Sequence, residues 1–413
     1  MTVADTSAPA VGEMAQTDAS GRGWKTVAAS AFGLSVGPSC LTILAFGAFI
    51  APLEAEFKWG VPAIAVGASI ISIMIMIISP LQGFLVDRFG GRRLVLFSIP
   101  VFALALSAMY YLPNNLWVFY AAWVAIPLAG VGIWPISYLR STAGWFENKL
   151  GLALGLANAG IGVGTMLVPL ITAYLIGAYG WREAYLGLGI LALFAWPVAY
   201  LFLSDPVPAQ GSLALTGQTV AEAARTRPFW IAFGAFFLLG LFTTALIVHQ
   251  TRVMIDAGIP PATATSIPAA FGLALLFGRV VTGWLLDRYA AKHIMGVLLA
   301  GGVVATVLYA RGPSVPEAIL GAVLIGAITG AEFDVLSYMI PRYHGRKSFG
   351  KLYGLLFAVF QFAAAIGVGA VGASRGHFGS YAPSMYTLSV ICVLAAGLFM
   401  LLGPYKYTTG SRA

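Results

Sequence analysis

Three charged residues stand where charge is hardest to keep. Arg279 lies inside the apolar run 262–286, and Glu332 and Asp334 lie past the middle of the run 316–341. A charged side chain at the centre of a bilayer costs about 2.5–3.5 kcal/mol on insertion scales, so such residues face a cavity or a partner and usually serve a function. Arg279 is far from the helix end where a basic side chain could snorkel to water. Its planar guanidinium fork suits a carboxylate held through two hydrogen bonds. A carboxyl group in a water-poor site can carry a proton. Glu332 and Asp334 are two residues apart, about 200° around a helix, so they cannot face the same cavity. One is expected to line the pathway and titrate, with Glu332 taken first. The other is expected to pair with a helix-end donor. The bland alternative is structural: Arg279 in an ion pair with Glu332 or Asp334.

Further polar residues could complete such a site. His249, in the outer half of the seventh apolar run, could relay a proton or bond a substrate; it could equally be a satisfied structural group. Trp134, Tyr138, Asn158, Tyr338 and Gln361 could shape a pocket, with packing as the alternative. Arg140, at the inner end of the fourth run, suits snorkelling or gating better than substrate binding. Signals for other chemistry are missing from the sequence. It has no HExxH, CxxC or G-x-S-x-G pattern and no phosphate loop of the G-x-x-x-x-G-K-[ST] type. Gly162-x-Gly164 has no strand before it and is no nucleotide fingerprint. No cofactor or metal is expected.

The elements that must position these residues follow from composition. Of 413 residues, 59% are hydrophobic and 9% charged; globular chains average about 25% charged. The 38 charges cannot cover a soluble protein of this size, so a soluble enzyme is excluded and a multi-span membrane protein remains. Twelve apolar runs are visible: 24–53, 62–86, 93–112, 116–140, 150–178, 182–204, 228–255, 262–286, 292–311, 316–341, 350–374 and 382–404. Each can cross about 30 Å of hydrocarbon at 1.5 Å per residue. Backbone groups in lipid must satisfy themselves, so the runs are read as helices, spans 1 to 12. Cys40 and Cys392 both fall in apolar runs and read as buried thiols.

Basic residues set the expected orientation. With the N-terminus inside, sixteen Lys and Arg fall on the cytoplasmic side and five on the other, Arg140 and Arg279 being set aside as lying within spans. N- and C-termini are therefore expected in the cytoplasm of a cell whose inner membrane holds the protein. The net charge of +8 is then a matter of topology, not of nucleic-acid binding. Residues 1–23, polar and lacking an apolar stretch, are expected to form a disordered tail, and 406–413 a second tail.

The chain also repeats itself. Gly83-x-x-x-Asp87-Arg88 follows span 2, and Gly283-x-x-x-Asp287-Arg288 follows span 8, an offset of 200 residues. The same offset relates Gly130 to Gly330 and Ser137-Tyr138 to Ser337-Tyr338; it becomes 199 for Gly151 and Gly350 and for Gly155 and Gly354. Several matches on equivalent spans are a duplication. The polar segment 205–227 divides an N-terminal half, 24–204, from a C-terminal half, 228–405. Paired six-helix halves are an architecture of secondary transporters.

The segment Gly83-Phe-Leu-Val-Asp87-Arg88-Phe-Gly90-Gly91-Arg92-Arg93 resembles the signature between spans 2 and 3 of the major facilitator superfamily. The second copy departs from it, with Ala290-Ala291-Lys292 where Gly and Arg would stand. The resemblance implies an all-α membrane fold of twelve helices in two pseudo-symmetric halves. It also implies a gating role for Asp87, Arg88, Arg92, Asp287 and Arg288, beside the gating or snorkelling role that its position suggests for Arg140. Physically, glycine lets helices approach, and Asp87 can cap a helix end or pair with an arginine.

Three stretches resemble the monocarboxylate and oxalate/formate branch. They are Phe46-Gly47-x-Phe49-x-x-Pro52-Leu53-x-x-x-Phe57, Gly144-Trp145-Phe146 leading into Gly151 to Gly155, and Gly330-Ala-Glu332-x-Asp334 followed by Arg342-Tyr343, Phe349-Gly350 and Tyr353-Gly354. In that branch the position matching Arg279 is the substrate-anion arginine. Two departures bear on substrate: span 11 lacks the lysine of oxalate/formate exchangers, and no acid precedes Arg279 in span 8. The resemblance therefore implies a monomeric secondary transporter of a small organic monoanion, aliphatic or aromatic, moved together with a proton by alternating access in the lipid bilayer. Carboxylate exchange and efflux of a drug or metabolite stay open as alternatives, with a non-transporting sensor behind them.

Overall fold

The computed structural model describes residues 21–206 and 217–407. Most of the two expected tails and the middle of the 205–227 linker lie outside these residues, as does Arg412. Among the described residues, eleven helices are long and apolar enough to cross a membrane, and a shorter apolar helix, Leu116–Ala129, supplies the twelfth crossing. Spans 1 to 3 are Gly21–Phe57, Val61–Phe89 and Gly91–Tyr111; spans 5 and 6 are Leu150–Tyr179 and Trp181–Phe202. Spans 7 to 12 are Arg227–Asp256, Pro261–Leu286, Ala291–Ala310, Val315–His344, Phe349–Phe378 and Ala382–Met400.

Two spans depart from the continuous helices expected of them. Span 4 divides into Leu116–Ala129 and Pro135–Ala143. The intervening Gly-Val-Gly-Ile-Trp is apolar enough to read as helix, but Pro135 cannot donate to the preceding turn. Non-helical backbone at this depth survives only if its polar groups are bonded inside the protein, and here they are. The Gly132 N–H donates to Ser98 Oγ at 3.1 Å, and Gln82 Nε2 donates to the Trp134 carbonyl at 2.8 Å and to Ser137 Oγ at 3.0 Å. Span 1 is interrupted by a π-helical stretch, Ser39–Leu44, just after Gly37-Pro38. Such bulges often mark functional sites, and this one lays Cys40 against span 5 at the Ile161 carbonyl.

Most chain ends and basic residues gather at one end of the bundle, called here the basic end. At that end the C-terminal part of the linker docks on span 10. The Gln218 N–H donates to the His344 carbonyl at 2.8 Å, and Thr219 and Glu222 form a capping box on the short helix Val220–Ala223. The hydrogen bonds from Thr219 hold the exposed Glu222 carboxyl below its ordinary range.

The two halves are fused unequally. One apolar core joins the C-terminal half to N-terminal residues of the basic end, such as Val86, Leu139, Phe146 and Leu150. A second core lies wholly within the N-terminal half. At the far end the ion pairs stay within single halves: Arg182 with Glu56 at 2.7 Å, and Arg375 with Asp256 at 2.8 Å.

Candidate functional site

The cross-half contacts begin with glycine. Gly83 meets Gly350, and Gly151 meets Gly283; a Cβ on Gly283 would lie 2.5 Å from the Gly151 carbonyl oxygen. With backbones this close, the aspartate of each duplicated signature reaches the first turn of a helix in the other half. Asp87 accepts the N–H groups of Gly350 at 2.9 Å and Lys351 at 3.0 Å. Asp287 accepts those of Gly151 at 2.6 Å and Leu152 at 2.9 Å. Neither Ser348 nor Lys149, the residues before those helices, caps them with its own side chain. The opposite half therefore supplies both the cap and the negative charge that a helix N-terminus favours.

Other expected gating residues divide by role. Arg140 pairs with Asp87 at 3.3 Å. Arg92 bonds the Tyr200 carbonyl at 2.8 Å through its side chain, and its backbone N–H donates to Asp205 at 3.1 Å. Arg88 lies over Phe89, and Arg288 over Trp284. In these contacts Arg88, Arg92 and Arg288 stay within their own halves. Two clamps escaped the sequence reading: Arg342 donates to the Glu147 carbonyl at 2.6 Å, and Arg346 to the Phe146 carbonyl at 2.7 Å. Their targets are main-chain oxygens, which leave no trace in residue type.

Two to three helical turns inside this clamp lies the charged centre. Arg279 is 4% exposed, Asn158 1%, Glu332 2% and Asp334 fully buried. Glycines set the depth of Arg279: a Cβ on Gly155 of span 5 would lie 2.6 Å from the Arg279 carbonyl oxygen, and one on Gly330 of span 10 would lie 3.2 Å from its nitrogen. Asn158 Nδ2 donates to Asp334 Oδ1 at 2.5 Å, bridging the halves. Arg279 Nη1 stands 3.8 Å from the same oxygen, close enough for Coulomb attraction and too far for a hydrogen bond. Arg279 Nε and Nη1, Asp334 Oδ2 and Glu332 Oε2 are buried without hydrogen-bond partners. A buried charge with open donors is costly, and such a set is what a bound anion or water would complete. Glu332 turns the other way, toward Thr243 of span 7, so the two carboxyls part as the 200° rule requires.

The structure thus brings Arg279, Asp334 and Asn158 together. It gives other candidates packing contacts. Tyr138 covers Gly33 of span 1. Tyr338 lies under the Arg342 guanidinium and against Tyr405. His249 contacts the Val368 carbonyl at 3.1 Å and the Tyr381 hydroxyl at 3.4 Å. Gln361 is half-buried on span 11. Trp134 lines a narrow recess with Ile78, Ser79, Gln82, Tyr353 and Phe357. Tyr353 lies within electrostatic reach of Arg279, Glu332 and Asp334. Sequence reading met Tyr353 only within a resemblance motif and did not single out Phe357, because aromatic residues in an apolar span look like lipid-facing or core residues.

A bundle of twelve apolar crossings around a buried charged seam is the architecture of a membrane transporter. The family model described as Major Facilitator Superfamily matches residues 32–253 and 232–413, and the chain belongs to that family. Among relatives, it is 27% identical over 323 residues to MFS-type transporter 1 of Ophiocordyceps sp. (strain BCC 1869), covering 76% of this chain and 70% of that one. It is 24% identical over 394 residues to monocarboxylate transporter 13 of Bos taurus, covering 92% and 89%. Among solved structures, the human organic anion transporter MFSD10 (TETRAN) superposes with a TM-score of 0.72 at 15% identity, covering 91% of this chain and 99% of that one.

Proposed function

We propose that the protein is a proton-coupled symporter of a small organic monoanion, and that Arg279 with Asp334 is its coupling centre. The observation that carries this reading is the pair itself: a buried guanidinium with unused N–H donors beside a buried carboxyl that also holds the other half through Asn158. The similarity to a monocarboxylate transporter and to an organic anion transporter supports it.

The basic end faces the cytoplasm by the positive-inside rule, with both termini there. The basic end is clamped and the far end is held only within each half, so the conformation is outward-facing. A carboxylate entering from outside takes the open donors of Arg279. Asp334 then loses its nearby cation and takes up a proton, which lets the buried carboxyl shed its charge. A monoanion plus a proton is neutral, so the loaded centre crosses without opposing membrane potential. Release of the Asp87 and Asp287 caps opens the basic end, and proton and anion leave together. Protein in liposomes should accumulate labelled lactate or benzoate above protein-free controls when the outside is made acid. Exchange that ignores the gradient would overturn the proton coupling.

A further inference from the structure

The segment that leaves span 12 is tied to the basic ends of spans 9 and 10. The Lys406 and Tyr407 N–H groups donate to the Arg342 carbonyl at 3.1 and 2.9 Å. The Tyr343 hydroxyl donates to the Gly403 carbonyl at 2.9 Å, and Lys292 Nζ to the Leu402 carbonyl at 3.2 Å. Tyr405 Oη accepts the N–H of Ala291, the first residue of span 9, at 2.8 Å. The corresponding residue of the N-terminal half, Asp205, accepts the Arg92 N–H in the first turn of span 3. The same place in each half therefore caps an equivalent helix start.

What the C-terminal copy adds is a ring. Tyr405 is half-buried and meets Tyr343 edge-on at 5.0 Å and Tyr338 at 6.1 Å between centroids. The Arg342 guanidinium lies 5.2 Å from the centroid of the Tyr338 ring. That guanidinium is the one that reaches across the seam to the Glu147 carbonyl. Arg342 is thus held twice by one segment: its carbonyl by the backbone of 406 and 407, and its side chain through the Tyr338 ring that Tyr405 backs. A long side chain loses rotamer freedom when one bond fixes it. A ring beneath it, attracting the cation to its face, favours that fixed geometry.

We propose that residues 402–407 are a strap for the basic-end gate and that Tyr405 is a positioning residue within it. Through Tyr338 it keeps the Arg342 side chain across the seam, and so favours the conformation in which the basic end is closed. The strap rests on alternation between two conformations, and neither on the identity of the substrate nor on proton coupling. The test is the distribution of distances between spin labels at Tyr179 and Phe378, at the far ends of spans 5 and 11, in the full-length protein in lipid. Tyr405→Ala should shift the population about threefold to tenfold toward the shorter far-end distance. Tyr405→Phe keeps the ring and should match the wild type. Arg342→Ala should shift the population at least as far as Tyr405→Ala, and combining the two should shift it no further, because the ring acts through that arginine. Tyr338→Leu removes the middle ring and repeats the test if Tyr405→Ala fails to fold. A wild-type distribution in Tyr405→Ala or Tyr338→Leu would overturn the strap. So would a Tyr405→Phe shift equal to that of Tyr405→Ala, or shifts that add in the double variant.

Discussion

At the scale of residues, the account rests on which side chains share the charged seam. Arg279, Glu332 and Asp334 were legible in the sequence, because nine per cent charge in a membrane chain leaves few ionisable groups unexplained by loops or helix ends. Their angular separation was legible too, since two residues are about 200° of helix. Which carboxyl meets the arginine was not. That depends on how span 10 is rotated against span 8, and the close glycine at 330 sets it. In the structure Glu332 turns toward Thr243, and Asp334 pairs with Arg279 and Asn158. Arg279→Lys keeps the charge and loses the fork, so carboxylate affinity should fall by about ten- to a hundredfold. Titration calorimetry would measure this, and unchanged affinity would remove Arg279 from the substrate site.

At the scale of elements, hydrophobic runs revealed every span, but not the interruptions within two of them. The break in span 4 escaped because its residues are apolar; its stability depends on Gln82 and Ser98, which are distant in sequence. The duplicated aspartates were recognisable as candidate caps, and the helices they cap became visible only when the halves were assembled. An asparagine at either position keeps one acceptor and loses the charge. Each loss should cost about 1 kcal/mol of this conformation, and the Asp87→Asn, Asp287→Asn pair should shift the population toward the opposite-facing state by roughly thirtyfold. Spin labels at exposed Tyr179 and Phe378, at the far ends of spans 5 and 11, should report a shorter distance in the double variant. An unchanged distance distribution would mean that the caps do not hold the basic end.

At the scale of the whole molecule, the internal repeat disclosed two halves, and the structure adds that they are joined mainly at one end. That asymmetry matters for the transport cycle. A transporter must break one set of cross-half contacts before making another, and here Asn158–Asp334 is the cross-half contact at the buried arginine. In the proposed cycle Asp334 reports occupancy of Arg279 to the gate: with an anion bound, its own carboxyl would be the group that accepts a proton. If so, removing the titration should leave the rocking motion intact and uncouple it from the proton gradient. The most direct measurement compares wild type and Asp334→Asn in proteoliposomes, recording both exchange of labelled carboxylate and its accumulation when the outside is acid. Asp334→Asn should retain exchange and lose gradient-driven accumulation. Accumulation at the wild-type level would show that the proton travels by another residue and contradict the central role given to Asp334.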